Sequence, residues 1–395
     1  MRNIESNIWK FYFFQSFKHL SFFLPIIVLF WQKNGLSMTE IMILQSFFAI
    51  FIVLLEIPTG YFADIYGRRK SLVISVFFLF FGAIIYSLGV NFFFFLIAEF
   101  LWAFGNSLIS GSDSALIYDS LKEVNREKEF KKIWGKSIFF LLVSMSLANV
   151  IGGVIGKINF RWTFLAMLPF LAILIPISAS MIEPKRNKLI IKKSYLEELR
   201  AIIKYSFSKN KKLKWLLIYA GIAYSFNQAA LWLYQPYFSL TGLNILQIGI
   251  VFASFQIIAA ITAKFSYKIE KKLGEKFSLF LIILLIGVSY LLMGNFIYLF
   301  SFTFSFLHQF VRGFSKVVFT DYINKIIPSE TRATILSLKN MTGKLIYALI
   351  IPFIGWFIDL YSLLNALVML GIISLIIGSV VFIFFMKKSN LINSF

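Results

Sequence analysis

Two carboxylates, Glu99 and Asp113, two imidazoles, His19 and His308, and the cations Lys18, Arg312, Lys316 and Lys344 all fall inside long apolar stretches of the sequence. An ionisable group at membrane depth costs about 2.5 to 3.5 kcal/mol on insertion scales, so each needs a partner or a wet cavity. A desolvated carboxylate drifts toward its neutral form, so such a group can take up and release a proton as it is buried and wetted. Glu99 and Asp113 are therefore the first candidates for proton coupling, and His19 and His308 the second. None of these groups belongs to a nucleotide-binding P-loop, a zinc-ligand cluster or a Gly-x-Ser-x-Gly turn. No catalytic residue, metal or cofactor is expected. Cysteine is absent, which excludes disulfide and thiolate chemistry.

The polar residues around these groups recur at helical spacing. Glu99, Asn106, Ser110 and Asp113 follow one another at seven, four and three residues, which is one helical face. Tyr224, Asn227, Gln228, Trp232 and Gln235 give roughly one face of a second segment, and His308, Gln309, Arg312 and Lys316 a face of a third. Gln15, Lys18 and His19 cluster in a fourth. Taken singly, each residue also fits a hydrogen bond between two helices; taken together they describe an aqueous path. The excess of cations, Lys344 included, favours an anionic or zwitterionic substrate. The abundance of aromatic residues favours an amphipathic one.

The elements that must carry these residues follow from the apolar runs. Hydrophobic residues make up 59% of the chain and charged residues 14%, against roughly 25% charged in soluble domains. The chain is an all-α integral membrane protein, since unbroken apolar runs long enough to cross a bilayer satisfy their backbones as helices. Twelve spans are expected, at about 8–31, 40–62, 71–89, 92–118, 134–157, 162–182, 214–238, 245–267, 277–294, 296–324, 334–357 and 363–386. The first run is too long, and lacks the cleavage site, for a secretory signal, so it is retained as a helix. A basic linker at 183–213 separates an N-terminal bundle, 1–182, from a C-terminal bundle, 214–395.

Lysine and arginine concentrate on alternate loops, while the opposite loops offer only Lys33, Lys157 and Arg161. That bias places both termini and the linker in the cytoplasm. It also accounts for the formal charge of +21 without nucleic acid as a partner. The expected setting is a bacterial plasma (inner) membrane, with the protein multi-pass and monomeric. A weak internal repeat aligns Gly35-Leu36-Ser37-Met38-Thr39-Glu40-Ile41 with Gly242-Leu243-Asn244-Ile245-Leu246-Gln247-Ile248, and without a gap Gly67 with Gly274.

Between the second and third spans lies Gly60-Tyr61-Phe62-Ala63-Asp64-Ile65-Tyr66-Gly67-Arg68-Arg69-Lys70. This G-x-x-x-D-x-x-G-R-R-K pattern, twelve spans and a basic central linker together resemble the major facilitator superfamily of secondary transporters. Arg161-Trp162, Glu183-Pro184 and Pro328-Ser329-Glu330-Thr331-Arg332-Ala333-Thr334 are similar to further recurring features of that family. The resemblance implies two pseudo-symmetric six-helix bundles around a central cavity lined by spans one, four, seven and ten, rocking by alternating access. It implies a conformational latch of Gly60, Asp64, Gly67, Arg68, Arg69 and Asp119, with Asp64 facing the N-terminal end of span eleven and Arg68 bridging to Asp119 on span four. The glycines suit a close approach and a tight turn.

Drug/proton antiporters of this superfamily commonly carry an arginine in span four and a Gly-Pro pair in span five. Here span four has Glu99-Phe100-Leu101-Trp102, and span five has Gly152-Gly153 and Gly156 without the proline. The reading that results is a secondary active transporter, coupled to protons and exporting a small molecule. Uptake of an anionic or zwitterionic nutrient stands as the alternative. An intramembrane enzyme built on His19 with Glu99 or Asp113, or a transport-inactive sensor, remains from other classes.

Overall fold

The computed structural model describes residues 4–185, 203–328 and 331–388. In chain order the helices are α1 (Ser6–Lys18), α2 (Ile27–Lys33), α3 (Met38–Tyr66), α4 (Arg68–Leu88), α5 (Phe92–Ile109), α6 (Ser112–Glu123), α7 (Phe130–Ile158), α8 (Phe160–Leu165) and α9 (Leu168–Ser180). They continue as α10 (Lys211–Leu240), α11 (Ile245–Asn295), α12 (Ser305–Ile326), α13 (Arg332–Leu360) and α14 (Leu363–Lys388). No strand occurs among the described residues. Nine stretches among the described residues are long and apolar enough to cross a membrane. The other expected spans are the first, which is broken, the tenth, which is polar, and the ninth, which continues the eighth within α11. The linker residues 186–202 lie outside the described residues.

Three expected spans are not continuous. The first stops at Lys18 and resumes at Ile27, because Pro25 offers no N–H and keeps Leu24 out of helical geometry. Its backbone is satisfied locally, Ser21 N donating to His19 O at 2.9 Å and Leu24 N to Ser21 O at 3.2 Å. The fourth span breaks at Ser110–Gly111, where Gly111 has φ +76, a conformation that side chains with a Cβ rarely adopt. The expectation of one helical face from Glu99 to Asp113 is corrected accordingly: the two carboxylates sit on separate helices. The sixth span is two helices, α9 starting afresh with a proline in its first turn. Conversely, the expected loop between spans eight and nine is helical apart from a kink at Gly274, φ 75.

Contacts divide the chain into two compact units. The first holds Met1–Leu36, Phe47–Ile191 and Asn244–Ser254. Within it α4 lies along α5, α8 and α9, and α1 lies along α7 and α9. The second holds Ser37–Ser46, Lys192–Leu243 and Phe255–Phe395, with α10 packed on α12, α13 and α14. The short segments in each list follow from helix ends: the start of α3 is grouped with the second unit and the start of α11 with the first.

The internal repeat has a physical meaning. Leu36 N donates to Trp31 O and Leu243 N to Phe238 O, both at 3.1 Å, so each repeat turns out of one helix through a left-handed glycine. Each then opens the next helix with a capping box. Ser37 and Glu40 exchange bonds at 2.9 and 3.2 Å, Asn244 and Gln247 at 2.9 and 3.0 Å. What the two copies share is therefore a helix stop and a helix start.

Span five uses its glycines for contact within the first unit. A Cβ on Gly153 would stand 3.0 Å from Ile245 O and 3.2 Å from Leu246 Cα, all backbone that cannot swing aside. Gly60 is the opposite case: expected at a close approach, it has nothing within 4 Å of where a Cβ would lie. Gly153→Leu should accordingly lower stability by about 1–3 kcal/mol through overpacking. Gly60→Ala should leave it unchanged or raise it by up to about 1 kcal/mol, since alanine suits a helix better than glycine. Thermal melts of the two purified variants in detergent compare them directly.

Candidate functional site

Polar chemistry gathers in three places, each inside one unit. The first is the turn from α3 to α4. A single residue, Gly67 with φ +114, separates the two helices, so the first N–H groups of α4 are left without helical partners. Glu183, just beyond α9, supplies the acceptors: Oε1 takes Arg68 N at 2.9 Å and Oε2 takes Arg69 N at 2.7 Å. A carboxylate also suits the positive end of a helix dipole. A Cβ on Gly67 would stand 3.1 Å from that carboxyl group, so the glycine serves both the turn and the cap.

The Arg68 guanidinium donates to Ala115 O at 2.9 Å and pairs with the Asp119 carboxylate of α6. The Arg68–Asp119 bridge expected from the sequence is thus present. Arg69 joins through its backbone N–H, and Asp64 makes no hydrogen bond or ion pair among the described residues. Just beyond α6, Arg126 donates to Glu129 at 2.7 Å and to Glu5 at 2.9 Å. These bonds, Glu129 first, hold its guanidinium above the ordinary arginine range.

The second place is where the break after α1 meets the break before α6. Asp113, in the first turn of α6, accepts from Gln15 Nε2 at 2.9 Å, and Lys18 Nζ stands 3.8 Å from the same oxygen. Its other oxygen takes Ser114 N at 2.7 Å. The pair is largely but not wholly enclosed, with side-chain exposures of 10% for Lys18 and 13% for Asp113. At 3.8 Å the contact is an attraction of charges rather than a hydrogen bond. His19 caps α1, and its Nδ1 lies 2.8 Å from Gln15 O, an acceptor only, so that nitrogen carries the proton.

Glu99 belongs elsewhere in the same unit. It is 3% exposed and accepts from Tyr86 Oη of α4 at 2.6 Å. The rings of Trp102, Phe164 and Phe95 surround Tyr86 at centroid distances of 4.5, 4.9 and 5.6 Å. Asn106 and Ser110, expected on the same stripe, are exposed, and Asn106 bonds back to Trp102 O. Spacing fixes the angle around a helix, while what covers each position differs along its length.

The third place is in the second unit, around His308 of α12. Ser289 Oγ donates its one hydrogen to Phe304 O at 2.7 Å, so it can only accept from His308 Nδ1 at 2.9 Å. His308 is therefore the Nδ1–H tautomer, and its buried Nε2 lone pair has no donor among the described residues. The ring stands edge-on to Tyr290 at 4.5 Å. One residue on, Gln309 bonds to Tyr234 Oη at 3.2 Å, and one turn on, Arg312 donates to Phe255 O and Gln256 Oε1, both at 3.0 Å.

Of the remaining expected residues, Trp232 donates to Tyr347 Oη at 2.6 Å, Gln235 is buried, and Asn227 and Gln228 are half-buried on α10. Tyr224 and Lys316 are exposed, and Lys344 is half-buried on α13. Sequence reasoning missed Glu183 as a cap, Tyr86 as the partner of Glu99, and Ser289 with Tyr290 as the setting of His308. A Ser-Tyr pair inside an otherwise apolar span nine was the one available signal.

Comparison with known proteins decides the family. The Major Facilitator Superfamily profile matches residues 11–345. The chain belongs to the Major Facilitator Superfamily. It is similar to the MFS-type transporter YxaM of Bacillus subtilis, 26% identical over 347 residues and 84% of each chain. It is also similar to the MFS-type transporter MJ1560 of Methanocaldococcus jannaschii, 21% identical over 77% of each.

Among solved structures, the nucleoside transporter NupG matches with a TM-score of 0.79 at 13% identity, over 98% of this chain and 99% of that one. A bacterial homolog of the human lysosomal transporter Spinster, inward-facing and unoccupied, matches with 0.76 at 15% identity, over 99% and 98%. Identities this low carry the fold alone. As a member of this superfamily the protein is a multi-pass membrane transporter, not an enzyme. Glu183→Ala should destabilise it by about 1–2 kcal/mol, the loss of a helix cap, whereas Glu183→Asp should lose part of that. Melting of the two purified variants against the parent checks both.

Proposed function

We propose that this transporter is a proton-coupled secondary exporter of a small molecule working by alternating access, and that Asp113 is the group that binds the proton. The observation that carries the coupling is the meeting of two interrupted helices at Gln15, Lys18 and Asp113. Interrupted helices at membrane depth expose polar backbone where a cavity can form, and the start of α6 is a favourable place for a carboxylate. A proton on Asp113 removes the negative charge that faces Lys18 and leaves the ammonium free to act on another anion. Export is preferred on the motif-bearing loop, where Asp64 is proposed to serve with Arg68 and Asp119 as the latch of the outward-facing state.

The Nε2 of His308, which has no donor among the described residues, supports a substrate with an N–H or O–H to donate. A second reading, uptake of an anionic or zwitterionic nutrient with protons, is favoured by Arg312, whose bonds go to a carbonyl and an amide and to no carboxylate among the described residues.

Reconstituted vesicles with an internal pH dye test the coupling. Asp113→Asn should abolish substrate-driven proton movement, a loss of about 100-fold or more, while exchange of labelled for unlabelled substrate continues, since exchange needs no deprotonation. Proton movement at the parent rate in that variant would remove Asp113 from the mechanism. The sign of the proton flux accompanying substrate distinguishes export by exchange from uptake by symport. Asp64→Asn should slow net transport and leave the protein folded and inserted.

A further inference from the structure

The start of α3 is capped twice. Of its first N–H groups, Glu40 N bonds to Ser37 Oγ and Ile41 N to Ser37 O, which leaves Met38 N and Thr39 N. Both are satisfied by one carboxylate, Asp359 of α13, 321 residues away from Met38. Asp359 Oδ1 accepts Met38 N at 3.0 Å, and Oδ2 accepts Thr39 N at 2.7 Å and Thr39 Oγ1 at 2.6 Å. All these residues lie in the second unit.

The same two segments touch along their length. Gly355, one turn before Asp359, brings α13 so close that a Cβ there would stand 2.8 Å from Thr39 Cα, and Ser46 Oγ donates to Ala348 O at 2.7 Å. The contact is dry at Ser46, which is 7% exposed, and open to solvent at Asp359. A bond that water can enter and replace is one that can be made and broken.

The other copy of the repeat shows that the cap is an addition rather than part of the packing. Ile245 and Leu246 correspond to Met38 and Thr39, and Gly153 of α7 sits against them as Gly355 sits against the first pair. Four residues beyond Gly355 stands Asp359; four beyond Gly153 stands Lys157, exposed. An ammonium cannot accept from helix N–H groups and is disfavoured at that end of the dipole. Two equivalent helix contacts thus share their glycines, while only one is fastened by charge.

We propose that Asp359 is a conformational latch, at the end of α3 opposite the Gly67 turn, which holds the start of α3 against α13 and lets go when the transporter changes state. A static cap would be needed in every conformer; a latch is needed in one. The inference requires two conformers, as the transport reading does, but neither proton coupling nor a direction of transport.

The chain has no cysteine, so a single Ser46→Cys reporter is unambiguous. Its thiol should react slowly with a soluble maleimide in the detergent-purified parent. Adding Asp359→Ala should speed labelling roughly tenfold, with Asp359→Asn and Thr39→Val giving smaller increases and Lys157→Ala none, as a shifted population of conformers requires. Labelling at the parent rate in Asp359→Ala and Thr39→Val, with only a lower melting temperature, would make Asp359 a static cap and overturn the proposal. Should Asp359→Ala fail to fold, Asp359→Asn and Thr39→Val carry the same comparison. Loss of proton coupling in Asp113→Asn at unchanged labelling keeps the two questions apart.

Discussion

A chain that crosses lipid must satisfy every backbone N–H and C=O from within, because the solvent around it offers no replacement. An uninterrupted helix does this alone, and the caps of this protein stand where a helix starts or is interrupted. Glu183 answers for α4, Asp359 for α3, Asn210 and Asn91 for α10 and α5, and the reciprocal boxes at Ser37 and Asn244 for the two repeats. The same demand is met where bonds across long sequence separations end on backbone atoms. Asn7 bonds to Ile182 in both directions, at 2.8 Å each way, and Arg161 reaches Ser87 O at 2.8 Å.

That constraint sets what was legible in the sequence. Run length and charge bias are enough for the spans, because lipid fixes the length of a crossing and the flanking cations mark its ends. The Arg68–Asp119 pair was legible through a pattern of residues in a loop. The breaks at Pro25 and Gly111 were written in the sequence too, yet a proline or glycine inside an apolar run is tolerated in many membrane helices, so its local signal does not decide. The caps by Glu183 and Asp359 join residues 115 and 321 positions apart, and no periodicity of one segment contains such a pairing.

The internal repeat shows where selection among physical solutions has room. Stops, starts and close glycines recur in both copies, because both must turn and pack in the same way. Charges mostly do not recur: of the charged loop residues only Arg69 keeps its sign, at Lys276. Asp64 and Arg68 correspond to Lys271 and Glu275, and the positions after the packing glycines hold Asp359 in one copy and Lys157 in the other. In the second copy Glu270 instead takes the Tyr322 hydroxyl at 2.8 Å. Packing repeats while electrostatics diverge, which is the arrangement expected if geometry makes the scaffold and charge distinguishes its states.

Glu99 and Asp113 stand alike in the sequence, and geometry separates them. Glu99 accepts from Tyr86, itself ringed by aromatic side chains, and at 3% exposure it is the more secluded of the two carboxylates. Its bond to a neutral phenol also tolerates either protonation state. Asp113 is reached by an amide, a backbone N–H and, more loosely, an ammonium, at the junction of two helix ends and at 13% exposure. A proton on Asp113 would remove the negative charge that these three neighbours meet, so binding it changes their arrangement. A coupling group needs that sensitivity, and burial alone does not provide it. This is why the carboxylate with the looser and wetter surroundings, rather than the more deeply buried one, is the one we assign to the proton.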